Sequence, residues 1–101
     1  MLAGYVIQDF ADRATEDVYH GVDSRPARQI PRALWAIVRR KLDALDAAKD
    51  VKDLRSPPGN RLEKLSGTLR GMWSIRVNDQ FRIVFRFDAG VASGVRVVDY
   101  H

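Results

Sequence analysis

The chain has 101 residues with 17 Lys and Arg against 13 Asp and Glu, 46% hydrophobic residues and no cysteine. That fits one domain over residues 1–101 and excludes disordered and low-complexity classes, disulfide scaffolds, thiolate nucleophiles and Cys-ligated metal centres. No apolar run reaches the roughly 20 residues of a membrane-spanning helix, and residues 1–5 lack the basic and apolar regions of a secretory signal, so a cytoplasmic protein without membrane contact is expected.

Residues 5–10 (Tyr5-Val6-Ile7-Gln8-Asp9-Phe10) read as a short β segment. A short helix is expected over 12–19, with Asp12 as N-cap and Glu16 and Asp17 in its opening turns. His20-Gly21 ends it, and Asp23-Ser24-Arg25-Pro26 forms a turn. The strongest helix signal runs over 31–48. Pro31 suits a first turn, and Leu34, Ile37, Val38, Lys41, Leu42 and Leu45 follow one buried stripe. Lys41 is expected on the border of that stripe with its ammonium in water. Arg39 and Asp43 are spaced to pair across one turn. Trp35 lies off the stripe, and either packs beneath the chain ends or is left for a partner.

Residues 49–60 read as a connector anchored by Val51 and Leu54, because Ser56-Pro57-Pro58-Gly59-Asn60 cannot form a helix interior. Beyond it the period changes from 3.6 to 2. Residues 72–77 and 81–87 alternate, with Asn78-Asp79-Gln80 as a loop that puts Trp73, Ile75 and Val77 on one face with Phe81, Ile83 and Phe85. A turn over 88–94 then leads to a last strand over 95–100. The expected fold is α+β, with an N-terminal β segment and two helices packed on one face of an antiparallel sheet. The other face carries Ser74, Arg76, Arg82 and Arg86.

Charge is distributed unevenly. Residues 1–24 hold one base and five acids, whereas residues 25–101 hold 16 bases and eight acids. The excess over 55–86 is the electrostatic signature of a polyanion binder, or else a solvated basic surface. No metal-ligand spacing is present, and no metal or other cofactor is expected. Gly67-Thr68-Leu69-Arg70-Gly71 matches no nucleotide-binding glycine pattern and reads as a hairpin turn. His20 suits a helix end. His101 closes the run Asp99-Tyr100-His101, which follows an apolar strand without a linker. It would sit close to the Arg-bearing face with a pKa suited to proton transfer.

Pro57-Pro58-Gly59-Asn60-Arg61-Leu62-Glu63, then Leu65, Gly67, Gly71, the run from Trp73 through Ile83, and Asp99-Tyr100-His101 occur in an order that resembles HigB toxins. These belong to the RelE/ParE superfamily of type II toxin–antitoxin systems. The likeness extends upstream through Ser24-Arg25-Pro26-Ala27-Arg28-Gln29-Ile30-Pro31 and Leu42-Asp43-Ala44-Leu45, and covers nearly the whole chain. It implies a RelE-like microbial RNase fold and an endoribonuclease that cuts mRNA on the ribosome. It also implies a HigA-like helix-turn-helix antitoxin, through which alone operator DNA would be contacted.

For that chemistry RNA supplies its own 2′-OH nucleophile. The protein then needs a base, cations for the phosphate and an acid for the leaving oxygen. Arg82 is the expected phosphate stabiliser and His101 the acid, with Asp99 orienting it and Tyr100 stacking or sharing proton transfer. Arg61, Lys64, Arg70, Arg76 and Arg86 are expected to hold substrate phosphates. Glu63 stands where some members of the family carry a catalytic His. It is read either as the base or as an ion-pair partner of Arg61 or Lys64. The alternative function, from the ParE branch of the same fold, is non-enzymatic inhibition of DNA gyrase.

Overall fold

A computed structural model describes residues 6–100. Helix α1 spans Arg13–Tyr19 and α2 Trp35–Ala47, followed by strands β1 Glu63–Lys64, β2 Trp73–Arg76, β3 Phe81–Asp88 and β4 Val91–Asp99. The four strands form one antiparallel sheet in chain order. Residues 6–10 run parallel to β4 through bridges at Ile7–Ala92 and Phe10–Val95, which cover its free edge. The Oδ1 atom of Asp46, on α2, accepts the amides of Val6 and Ile7 at 3.0 and 2.9 Å and fixes that segment to the helix.

Local chemistry explains both helices. The Asp12 side chain caps α1 by accepting the Thr15 amide at 2.8 Å, and His20 is the C-terminal cap residue. The expected second helix is split: residues Arg32–Leu34 make a 3₁₀ turn, and α-helix begins at Trp35. Trp35 packs into the core and donates Nε1–H to the Ile30 carbonyl at 2.8 Å, so the indole ties the turn to the helix. No ion pair joins Arg39 to Asp43. Val18, Val38, Leu42 and Leu45 pack against Ile75, Ile83, Phe85 and Val95 to make the main core. Each fully buried aliphatic or aromatic side chain of this kind contributes about 1.5–3 kcal/mol.

The β2–β3 register follows the expected loop, with Trp73 opposite Phe85, Ile75 opposite Ile83 and Arg76 opposite Arg82. The final hairpin differs from expectation. Its turn is only Ala89-Gly90, both with positive φ, and β4 starts at Val91. Gly94, at φ +59, lies in a bulge within the strand. That extra residue keeps both Ala92 and Val95 on the core side although they are three apart. A sequence reading by strict alternation breaks the strand there and lengthens the turn. Strand β1 is only two residues long and carries no periodicity by which the sequence would reveal it.

The outer sheet face is also less open than its arginines suggest. Leu65, Met72 and Val84 form a second buried cluster, with Leu69 and Val98 against it. The β1–β2 hairpin, including the expected turn at Gly67–Leu69, folds across this face. Only part of it remains available to a ligand.

Candidate functional site

The available part is centred on Arg82. Its Nε donates to Ser74 Oγ at 2.8 Å and one terminal nitrogen donates to the Arg61 carbonyl at 2.6 Å. The guanidinium carbon lies 5.5 Å from the centre of the Tyr100 ring, a cation–π contact. Ser74 is wholly buried, so its hydroxyl is a fixed anchor rather than a mobile surface group. Arg61 adopts a left-handed backbone at φ 45, in the turn that places its carbonyl against Arg82. Arg82 is thereby held in one orientation with the rest of its donor edge free for a phosphate.

Glu63 lies opposite Ser74 in the β1–β2 register and so projects from the same sheet face. Its carboxylate is exposed and pairs with neither Arg61 nor Lys64. The ion-pair reading of Glu63 therefore finds no partner among the described residues. Tyr100 is exposed, and its amide donates to the Gln80 carbonyl at 2.7 Å, which ties the chain to the sheet as far as that residue. Asp99 is opposite Phe81 and its Oδ2 accepts from Gln80 Nε2 at 3.0 Å. Alternation along β4 puts Asp99 on the side away from Arg82 and Tyr100. His101 lies outside the described residues.

The other expected phosphate ligands are spread more widely. Arg76 is half-buried and ion-paired to Asp79. Lys64 lies with its ammonium 5.6 Å from the Trp73 ring centre. Arg86 packs its guanidinium against Gly71, where an added Cβ would sit 3.5 Å from it. Arg70 is exposed on the covering hairpin. Sequence reasoning missed two contributors: Ser74 as the anchor of Arg82, and the backbone carbonyl, rather than the guanidinium, of Arg61. The signal for Ser74 is its place on the Arg82 face of the alternating strands, opposite Val84 and two residues from the Arg76–Arg82 pair.

A groove of about 640 Å³ lies elsewhere, lined by Ile7, Asp9, Phe10, Glu16, His20 and Asp46 among others. Its three carboxylates repel a polyanion, so size alone does not locate the site. Among the described residues no group of three or more His, Asp or Glu converges as a metal site, and no helix is long and apolar enough to cross a membrane.

A family model for the RelE-like toxin HigB of type II toxin–antitoxin systems matches residues 8–101. The chain belongs to the HigB family. Toxin HigB-1 of Vibrio cholerae is 46% identical over 84 residues, covering 83% of this chain and 86% of the relative. Endoribonuclease HigB of Proteus vulgaris is 33% identical over 76 residues, or 75% and 76% of the two chains. A YoeB–YefM complex from Staphylococcus aureus contains a chain with the same fold, at a TM-score of 0.61 and 22% identity, covering 98% of this chain and 99% of that one. The two helices and antiparallel sheet of this HigB-family toxin are thus the RelE-like arrangement expected from its sequence.

Proposed function

We propose that this HigB-family toxin cuts messenger RNA on the ribosome, with Arg82 stabilising the phosphate in flight. Its endoribonuclease class follows from the family and from the Proteus relative that bears that name. The observation that carries the mechanism is the anchoring of Arg82 by Ser74, the Arg61 carbonyl and Tyr100. A cation already oriented before substrate arrives needs no reorganisation as charge develops on the phosphate.

The proposed step balances without a covalent enzyme intermediate. The 2′-OH loses its proton to the Glu63 carboxylate and its oxygen attacks phosphorus. The bond from phosphorus to the 5′-oxygen breaks, and His101 protonates that oxygen. The products are a 2′,3′-cyclic phosphate and a 5′-hydroxyl. Tyr100, exposed beside Arg82, is suited to stack on a base. Asp99, on the other side of β4 from Arg82, accepts from Gln80 and secures the strand end that carries Tyr100. Arg61, Lys64, Arg70, Arg76 and Arg86 supply phosphate contacts around this centre. The ribosome contributes substrate positioning that a 101-residue chain has little surface to provide.

As a toxin of a type II system the protein has an antitoxin partner, proposed to be a HigA-like helix-turn-helix protein that carries the complex to operator DNA. Induction in bacteria followed by transcript 5′-end mapping tests the reading. Codon-phased cuts in translated messages, lost in His101→Ala, Glu63→Gln and Arg82→Ala variants, support it. Uncut messages with signs of DNA damage would instead identify the gyrase-inhibiting alternative.

A further inference from the structure

Lys41 lies at the edge of the α2 stripe as expected, but it is half-buried and its ammonium is not held by water alone. Its ammonium donates to Asn60 Oδ1 at 2.5 Å, and the Asn60 amide is itself fixed by donating to the Leu54 and Ser56 carbonyls at 3.1 and 3.3 Å. Asn60 is buried and cannot turn away. Among the described residues no carboxylate forms an ion pair with Lys41. The charges that act on it are those of Arg40 and Arg76, and burial together with these like charges lowers its pKa. Arg76 has one counter-charge, Asp79, which is almost wholly exposed and therefore screened by water. A neutral donor would satisfy Asn60 equally well. A half-buried cation without a counter-ion is stabilising only when an anion completes it.

The location supplies the anion. Asn60, which holds Lys41, directly precedes Arg61, whose carbonyl holds Arg82. Lys41 on α2 and Arg82 on β3 are thus tied to two successive residues, Asn60 and Arg61, of one turn. We propose that Lys41, with Arg40 and Arg76, forms a second phosphodiester subsite that takes an RNA backbone phosphate flanking the one at Arg82. This deepens the RNA-cleavage reading and rests on it. The phosphate belongs either to the message or to ribosomal RNA.

Binding, measured without cleavage, separates this inference from the catalytic one. A short labelled single-stranded RNA with 2′-O-methyl groups, and separately vacant ribosomes, are titrated with wild type, Lys41→Gln, Arg40→Gln and Arg82→Ala toxin across salt concentrations. Gln at position 41 removes the charge and keeps an N–H for Asn60. Each lost phosphate contact on single-stranded RNA reduces the log–log salt slope by about 0.7. Lys41→Gln and Arg40→Gln are expected to weaken binding severalfold and flatten the slope. A drop with the oligonucleotide assigns the message; a drop with ribosomes alone assigns ribosomal RNA. The Lys41→Gln effect should persist when Arg82→Ala is also present. Unchanged slopes in folded Lys41→Gln and Arg40→Gln proteins on both ligands would overturn the subsite. So would loss of the Lys41→Gln effect in the double variant, because Lys41 would then act only as a strut for Arg82.

Discussion

Replacing Ser74 by Ala tests whether orientation of Arg82, and not its charge alone, drives cleavage. The substitution removes one buried oxygen and leaves a methyl group of nearly the same volume opposite Val84. It deletes the 2.8 Å hydrogen bond to Arg82 Nε while the contacts to the Arg61 carbonyl and Tyr100 remain. A hydrogen bond to a charged group is worth about 1.5–3 kcal/mol. Arg82 is only half-buried, which favours the lower end, and about 1.4 kcal/mol corresponds to tenfold in rate. The cleavage rate should therefore fall about tenfold. Arg82→Ala, which also removes the charge, should fall about 10²–10³-fold, as for loss of one donor to a developing oxyanion. The assay is timed cleavage of a defined message in a reconstituted translation system, with toxin concentration set from the folded fraction. Ser74→Ala activity within twofold of wild type would refute the anchoring argument.

Asn60→Ala should lower the midpoint of thermal unfolding by at least about 12 °C, since two carbonyls and the Lys41 ammonium lose their partner, at about 1–3 kcal/mol for each group left unsatisfied and about 4–8 °C per kcal/mol. Calorimetry reads this directly, and a shift of a degree or two would mean that water replaces the amide. Gly94→Ala should cost about 1 kcal/mol from its positive φ alone, because nothing lies within 4 Å of the added Cβ; circular dichroism melting should show the loss while cleavage by the folded protein stays unchanged. The lowered pKa of Lys41 means that in alkaline solution the unfolded chain binds more protons at this position than the folded one. Wild type should consequently gain stability relative to Lys41→Gln as pH rises toward the ordinary lysine value of 10.5, and a parallel pair of pH–stability curves would contradict that sign.

Removal of residues 99–101 should abolish growth arrest while leaving antitoxin binding measurable by co-purification. Full toxicity of this truncated chain would eliminate His101 as the acid.

The site was legible to different depths in the sequence. Arg82 stood out because alternation around a three-residue loop put it on the face opposite Ile75 and Ile83, and the register has Arg82 opposite Arg76 as that alternation requires. Glu63 had two open readings, and only the geometry shows its carboxylate without an ionic partner beside Ser74. Lys41 lies on the border of the α2 stripe as the pattern expects, and the pattern does not show that its ammonium also donates to Asn60. The hydrophobic stripe reports which side of a helix is buried. It carries no information about a polar group arriving from residues far along the chain, such as Asn60.

Periodicity by itself determined an α+β fold and the faces of β2 and β3, local chemistry the capping of α1 by Asp12, and the ordered motifs the resemblance to HigB toxins. These depend on interactions between near neighbours, or on patterns that repeat at the period of a strand or helix. The tertiary structure alone decided the bulge at Gly94, the hairpin folded over the outer sheet face, the grip of Ser74 and the Arg61 carbonyl on Arg82, and the partnership of Lys41 with Asn60. Each of these joins residues through backbone conformation or through single polar atoms that local patterning does not record. The charge excess is an average over many side chains, and only the tertiary contacts distinguish a cation held in one orientation, such as Arg82, from one that is merely exposed, such as Arg70.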